Sequence, residues 1–352
     1  MTVKPPYVVP SMADVAALPW NGYTVASTFS GCGGSSLGYR MAGYRVLYAL
    51  EFVEAARASY RANAAQHTHL DDRDVRNVTA ADVLRILNMK PGELDILDGS
   101  PPCASFSTSG SREKKWGKVS KYSDKEQRTD DLFFEFIRLV DGIRPKVFIA
   151  ENVSGLVKGT AKGYFLEILK AMKALGYQVS CRLLNAKWLG VPQARQRTIF
   201  IGVRNDLGLM PQHPAPWPYF YTLSDAITGC PGPIEPESDI SRYEIGKEWA
   251  KLAPGQTSDR YFNLSRPSLN DACPTITAMG GVGGSAGVTH PAEQRRFSIA
   301  ELRSICSFPS DFALEGTYQQ QWERLGRSVP PLMMKAVADV VRLEILDKAR
   351  LA

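Results

Sequence analysis

The sequence is poor in the residues from which metal centres and disulfide frameworks are built. Six cysteines and four histidines are scattered over 352 residues. The cysteines, at 32, 103, 181, 230, 273 and 306, include no C-x-x-C pair, and the histidines, at 67, 69, 213 and 290, make no metal-ligand spacing with them. No metal site and no disulfide framework are therefore expected, and a reducing compartment, the cytoplasm, is. Long hydrophobic runs are also missing. No stretch approaches the roughly 18 apolar residues of a membrane span. Met1 to Pro19 has no long apolar core behind a charged start, so it does not read as a secretory signal. Internal repeats and low-complexity tracts are absent too.

What is present fits an ordinary globular chain, one large domain or two modest ones. Hydrophobic residues make up 44% and charged residues 22%. The net charge of +6 and pI near 8.9 permit a polyanion partner without requiring one. Tyr23 to Phe29 reads as a buried strand, and Ser30 to Gly38 as a glycine-rich turn entering a helix. A second strand, Arg45 to Leu50, ends at Glu51, with a helix from Val53. A short third strand closes at Asp71 to Val75. A fourth, from Leu94, runs into Asp98-Gly-Ser-Pro-Pro-Cys103. From Arg112 to Arg128 there are seven Lys/Arg against three acidic residues. Such a run is a solvated loop by default, but a loop this long within a compact domain is commonly functional.

Leu132, Phe133, Phe136, Ile137 and Val140 then share one helical face. Lys146 to Ala150 is a strand ending in Glu151-Asn152-Val153. Phe165, Ile168, Leu169, Met172 and Leu175 mark the next helix. Strands at Gln178 to Leu184 and Thr198 to Val203 flank Gln193-Ala-Arg-Gln-Arg197. This alternation predicts a doubly wound, mostly parallel α/β sheet. Ligands of such sheets lie beyond the carboxyl ends of the strands. The rule gathers the glycine turn, Glu51, Asp74, Cys103 and Glu151 on one edge. Residues 205 to 290 are rich in Pro, Gly and aromatics with poor periodicity. Gly280 to Gly287 reads there as a flexible linker rather than a contact loop. Periodicity resumes over Ser298 to Phe308 and in a last helix, about Leu332 to Ile345.

Gly31, Gly33 and Gly34 let backbone approach a ligand at a strand-to-helix turn. Glu51, about 20 residues on, is placed to accept ribose hydroxyls, and Asp74 to accept from an adenine amino group. A purely structural turn and a nicotinamide dehydrogenase both stay open on these residues alone. Cys103 by itself is more often a small buried hydrophobe, Glu151 a strand-end cap, and Arg195 and Arg197 partners in a salt bridge. Together they match what methylating a pyrimidine carbon requires. A thiolate adds at C6 of cytosine to make C5 nucleophilic. The charge that then reaches N3 and O2 is met by a carboxylic acid and a guanidinium.

The blocks Phe29-Ser-Gly-Cys-Gly-Gly34, Glu51, Asp74-Val75, Gly99-Ser-Pro-Pro-Cys103, Glu151-Asn-Val153 and Gln193-Ala-Arg-Gln-Arg197 occur in this order. Arg296 to Pro309 and Gly326-Arg-Ser-Val-Pro-Pro331 follow. In this set and order the chain resembles the DNA (cytosine-C5) methyltransferases, apart from its first 20 residues and residues 205 to 270. The resemblance implies a Rossmann-like methyltransferase domain and S-adenosyl-L-methionine as donor. Phe29, Gly31, Gly33, Gly34, Glu51, Phe52, Asp74, Val75, Ser100, Pro102, Leu132, Ser328 and Val329 would line the donor pocket. Cys103 would be the nucleophile, Glu151 the N3 partner and Arg197 the O2 partner, with Arg195 in support.

It further implies double-stranded DNA as partner and a target base flipped out of the stack. The basic segment would then close on phosphates. A catalytic domain of residues 1–205 plus 322–352 and a smaller, irregular target-recognition domain of residues 206–321 are expected. So is a monomer, compatible with functional pairing with a restriction endonuclease. The departures are Arg327 where asparagine is usual, Phe52 where tryptophan is common, and Ala104 where glutamine is frequent. The alternatives are a tRNA cytosine methyltransferase of the same family, a nicotinamide oxidoreductase and a catalytically silent relative. The oxidoreductase would leave Cys103, Glu151 and Arg197 without work.

Overall fold

A computed structural model of the chain describes residues 4–102, 120–122, 125–127, 131–157 and 162–351. Cys103 and most of the basic segment lie outside the described residues.

The strands of the main sheet are β1 (Thr24–Thr28), β2 (Arg45–Leu50), β3 (His69–Asp71), β4 (Ile96–Gly99), β7 (Val147–Val153), β8 (Tyr177–Asn185) and β9 (Gln196–Arg204). The seven lie in the order β3-β2-β1-β4-β7-β9-β8. β5 (Ser120–Tyr122) and β6 (Lys125–Gln127) form a separate antiparallel ladder. β1 to β4 and β7 run parallel, while β9 is antiparallel to both β7 and β8. The apolar runs are continuous because both faces are covered. Alternate residues divide between two cores. Val25, Ile96, Val147, Ile149 and Ile201 enter one, and Ala26, Leu97, Phe148, Ala150 and Phe200 the other.

The helices sort accordingly. α4 (Ala80–Leu87), α5 (Leu132–Ile143) and α6 (Lys162–Ala174) cover the face of Leu97 and Phe148. α2 (Gly34–Met41) and α11 (Pro331–Val341) cover the opposite one. α2 and α11 pack tightly, since a Cβ on Gly38 would stand 2.6 Å from the Pro331 carbonyl and from Met334 Cβ. The last helix thus packs back on the sheet. It passes through a π turn, Arg342–Leu346, into α12 (Asp347–Leu351). α1 (Met12–Ala17) and α3 (Glu54–Asn63) complete this part.

Residues after Arg204 hold more regular structure than their composition suggested. They contribute α7 (Leu223–Ile227), α8 (Glu244–Trp249), the hairpin β10 (Gln256–Thr257) and β11 (Ser265–Arg266), α9 (Ile299–Ile305) and α10 (Tyr318–Arg327). α7, α9 and α10 share a core with Cys32, Leu37 and Met41 at the glycine turn and α2. The segment from Gly280 to Gly287 is no flexible linker. Gly280 and Gly281 are buried, and the ring and Cβ of Trp322 lie so close that a Cβ on either glycine would meet them at 2.8 and 2.7 Å. Arg296 Nη2 donates to the carbonyls of Val282 and Ser285 at 3.0 Å each, and also to that of Gly283. The glycines admit a tryptophan, and an arginine fixes the backbone around it.

Candidate active site

β1 ends at Thr28, and the chain at once enters the left-handed region at Phe29 (φ 55°), Gly31 (57°) and Gly33 (98°) before α2 begins. A bulky residue such as Phe29 in this region marks an enforced turn. The three glycines have three different reasons. A Cβ on Gly31 would meet nothing within 4 Å, whereas one on Gly33 would press the Tyr60 ring at 3.1 Å. On Gly34 it would lie 2.4 Å from the Val329 carbonyl, so that glycine serves the approach of the chain before α11.

Glu51 follows the end of β2. Its Oε2 accepts from Gly31 N at 2.8 Å and its Oε1 from Val53 N at 2.7 Å. Burial raises its carboxyl above the ordinary range against the pull of those two amides. Both oxygens are oriented before any ligand arrives. Beyond β3, Asp74 accepts from Arg76 N at 2.9 Å and starts the short helical turn Val75–Asn77.

The antiparallel sense of β9 brings its first residues to the edge where the parallel strands end. Arg197 is opposite Val153, and Glu151 opposite Ile199. There Arg197 Nε and Glu151 Oε1 form an ion pair at 2.6 Å, with side chains only 13% and 10% exposed. Arg197 Nη1 also donates to the Gln196 carbonyl at 2.7 Å. Asn152 Nδ2 donates to the Pro101 carbonyl at 3.1 Å, tying the end of β7 to the double proline. Arg195 is different. It is 1% exposed, and its Nη1 donates to the carbonyls of Ile276 and Gly326 at 3.0 and 2.9 Å, its Nη2 to that of Arg327 at 3.2 Å. It acts as a strut across the site, where the sequence had suggested support for an oxygen contact.

One cavity of about 830 Å³ collects these groups. Phe29, Gly31, Gly34, Glu51, Phe52, Asp74, Val75, Ser100, Pro102, Leu132, Ser328 and Val329 line it, together with Glu151, Arg195 and Arg197. Gly33 does not, and Cys103 lies outside the described residues, next in the chain after Pro102. Its volume suits a sizeable ligand. The facing wall was not foreseen. It comprises Thr257, Asn263 and Ser265 of the hairpin, Thr275 to Met279, and Ala286 to Val288. Asn263 holds φ 71°, and its side-chain amide makes no hydrogen bond among the described residues. Met279 is 62% exposed on the loop carried by Trp322. A free amide and an exposed apolar tip beside a cavity are signals only the folded chain can give.

Among the described residues no group of three or more His, Cys, Asp or Glu could hold a metal ion. No helix among them is long and apolar enough to cross a membrane.

The chain is similar to known proteins along most of its length. The family model for C-5 cytosine-specific DNA methylase matches residues 23–243 and 231–342. The Type II methyltransferase M1.HphI of Haemophilus parahaemolyticus is 30% identical over 90% of this chain and 86% of its own. M.NgoFVII of Neisseria gonorrhoeae is 31% identical over 87% and 83%. A candidate DNA modification methyltransferase encoded within a prophage, from E. coli, superposes with a TM-score of 0.74 at 22% identity, covering 93% of this chain and 100% of the other. Dnmt2 of Spodoptera frugiperda gives 0.64 at 17% identity, with 89% and 98% covered. The structural likenesses establish a Rossmann-like methyltransferase fold. With a family model spanning most of its length and relatives of this identity along it, the chain belongs to the C-5 cytosine-specific DNA methylases.

Proposed function

We propose that this DNA cytosine-5-methyltransferase acts on a cytosine flipped out of duplex DNA, with S-adenosyl-L-methionine as donor and Cys103 as nucleophile. The observation that carries the reading is the buried Glu151–Arg197 pair. It shares one cavity with Pro101–Pro102 and with the Gly31–Glu51 turn.

The cavity fits a nucleoside donor. Glu51 and Asp74 offer acceptors, Phe52 an aromatic face, and Gly31 a backbone with open space before it. Val75, Ser100, Pro102, Leu132, Ser328 and Val329 would complete its surroundings, and Gly33 and Gly34 would shape the turn. When bound, that donor supplies an electrophilic methyl group on a sulfonium sulfur.

The target base would enter beside Glu151 and Arg197. Addition of the Cys103 thiolate to C6 forms the S–C6 bond and moves the C5–C6 electron pair to C5. Negative charge would otherwise accumulate on N3 and O2. Glu151, taking up a proton from solvent as its ion pair with Arg197 opens on base entry, donates to N3, and Arg197 donates to O2. The C5 electron pair takes the methyl group, and the S–CH3 bond pair stays on sulfur, leaving a neutral thioether. Loss of the C5 proton and expulsion of the thiolate then restore the aromatic ring. Arg195 holds the walls of the site together and is a positioning residue.

The wall formed by Asn263, Thr275 to Met279 and Ala286 to Val288 supports assigning sequence readout to residues 206–321. Chemistry then belongs to residues 1–205 with 322–352. The charge of the 107–128 segment suits it to phosphates. The Type II names of the relatives support functional pairing with a restriction endonuclease, for a monomer working in the cytoplasm.

Incubating the protein with duplex DNA and labelled donor is expected to place label on C5 of cytosine. Cys103→Ser should fall to background, and Glu151→Gln should lose about 100- to 1,000-fold in kcat. No transfer to any cytosine-containing duplex, or full activity of Cys103→Ser, would overturn the reading. Transfer to tRNA alone would reassign the substrate.

A further inference from the structure

Asp98, at the end of β4, is a buried carboxyl with no part in these steps. It is 1% exposed and in register with Ser27 of β1. Ser35 Oγ and Ser27 Oγ donate to its Oδ2 at 2.8 and 3.1 Å, and the Tyr39 hydroxyl to its Oδ1 at 3.1 Å. Among the described residues no ion pair reaches it. A buried carboxylate without a cation is costly, so its retention beside a functional cavity calls for a reason.

Its surroundings are those of the donor site. Ser35 is in the first turn of α2 and itself lines the cavity, and Ser100 to Pro102, two residues beyond Asp98, line it too. The amino end of α2 favours negative charge. Hydroxyls both donate and accept, so this cluster can serve the ionised and the protonated acid. Burial, reinforced by the charge of Glu151, pushes the Asp98 carboxyl up to about 7 against the pull of its hydroxyl donors. The titratable groups facing it are Tyr39 on α2, Tyr60 on α3 and Glu151 on β7.

We propose that Asp98 supplies the negative charge by which this enzyme prefers its cationic sulfonium donor to the neutral thioether product. The proposal rests on the donor assignment above. Donor and product differ by one methyl group and its positive charge, so an ionisable carboxyl one hydrogen bond behind Ser35 in the cavity wall is a means of telling them apart. Ionised Asp98 favours the cation and is indifferent to the thioether, which eases release of product after each transfer. Glu51 and Asp74 line the cavity and their charges act on the cation as well, so Asp98→Asn, which leaves both in place, isolates the share of Asp98.

The sign follows from linkage. A bound cation stabilises the ionised carboxyl and lowers its proton affinity. Donor affinity therefore rises as pH climbs through about 7 and levels off above, while product affinity lacks this step. The test is calorimetric titration of the full chain with S-adenosyl-L-methionine and with S-adenosyl-L-homocysteine across that range. For the wild type, the ratio of product Kd to donor Kd should rise about three- to tenfold. In Asp98→Asn it should stay flat at undiminished product affinity, which also reports an intact cavity. Should that variant fail to fold, Ser35→Ala, with one donor fewer on the carboxylate, should move the wild-type midpoint to higher pH. A flat wild-type ratio, a full rise in Asp98→Asn or an unmoved midpoint in Ser35→Ala would overturn the proposal. If the wild type binds neither ligand, the donor assignment itself fails. If it binds both at a constant ratio, only the role of Asp98 does.

Discussion

The cavity has two walls, and they position their side chains by different means. On the sheet side, a backbone ladder sets the places. Glu151 and Arg197 meet because β7 and β9 pair with Val153 opposite Arg197. On the facing side, among the described residues, backbone pairing through Thr275 to Met279 and Ala286 to Val288 shrinks to one bridge between Ser265 and Val288, and side chains from distant elements do most of the holding. Trp322 Nε1 donates to the Thr277 carbonyl at 2.9 Å, Arg296 gathers the carbonyls of Val282 and Ser285, and Arg195 reaches the Ile276 carbonyl. The glycines divide in the same way. Gly31 is needed for its left-handed φ of 57°, while Gly280 and Gly281 have no positive φ and are needed because Trp322 occupies the space of a Cβ. Backbone pairing sets the first wall, and side chains of remote elements most of the second.

The sharpest way to break that contrast is to cut the strut between the walls. Arg195→Met strands the carbonyls of Ile276, Gly326 and Arg327 in a buried place, which should cost about 3–5 kcal/mol of unfolding free energy. Arg195→Lys should recover less than half, because one ammonium cannot reproduce the planar fork. Urea denaturation followed by tryptophan fluorescence measures both. A loss below about 1 kcal/mol for Arg195→Met would show that the walls hold each other by other means.

Legibility in the sequence follows the same division. The strand read over Arg45 to Leu50 has those bounds in the structure, and Gln178 to Leu184 extends by one residue at each end. The first is readable because burial on both faces leaves it mostly apolar, whereas the second is a half-exposed edge strand. The carboxyl-end rule brought Glu51, Asp74 and Glu151 to one edge without any knowledge of contacts. It could not separate Arg195 from Arg197. Residue 195 precedes β9 and is fixed by partners up to 132 positions away, which no local pattern encodes. α4 and α10 went unread although each opens with a capping box, Thr79 with Asp82 and Thr317 with Gln320. Their apolar faces are short and their neighbours rich in turn residues. Asn263 and Met279 were invisible for the reason that made Gly280 to Gly287 look like a linker: composition records glycine but not the tryptophan that packs on it.

A paired substitution tests the two kinds of glycine. Gly281→Ala would set a Cβ 2.7 Å from Trp322 Cβ and Cγ, against a side chain with no exposure. Overpacking of that kind should cost about 1–3 kcal/mol of stability, with little change in donor affinity. Gly31→Ala meets nothing within 4 Å, so only the left-handed conformation penalises it, by about 1–2 kcal/mol. Its added methyl would stand in open space beside the cavity, and calorimetry should show weaker donor binding. Should Gly281→Ala prove as stable as wild type, the loop would be yielding and not clamped.

The smallest effect is expected where the chain departs from its family. Arg327 stands where asparagine is usual, and its Nε pairs with Glu323 Oε1 at 2.7 Å across one helical turn, with the arginine side chain 32% exposed. A pair of this kind is worth about 0.3–0.5 kcal/mol. The backbone carbonyl at this position receives Arg195 Nη2, and asparagine provides that as well. Arg327→Asn should therefore change the unfolding free energy by less than about 0.5 kcal/mol and leave donor affinity within about twofold. A larger loss of affinity would mean that the arginine side chain, which borders the cavity, contacts the donor directly and that this wall does more than support the other.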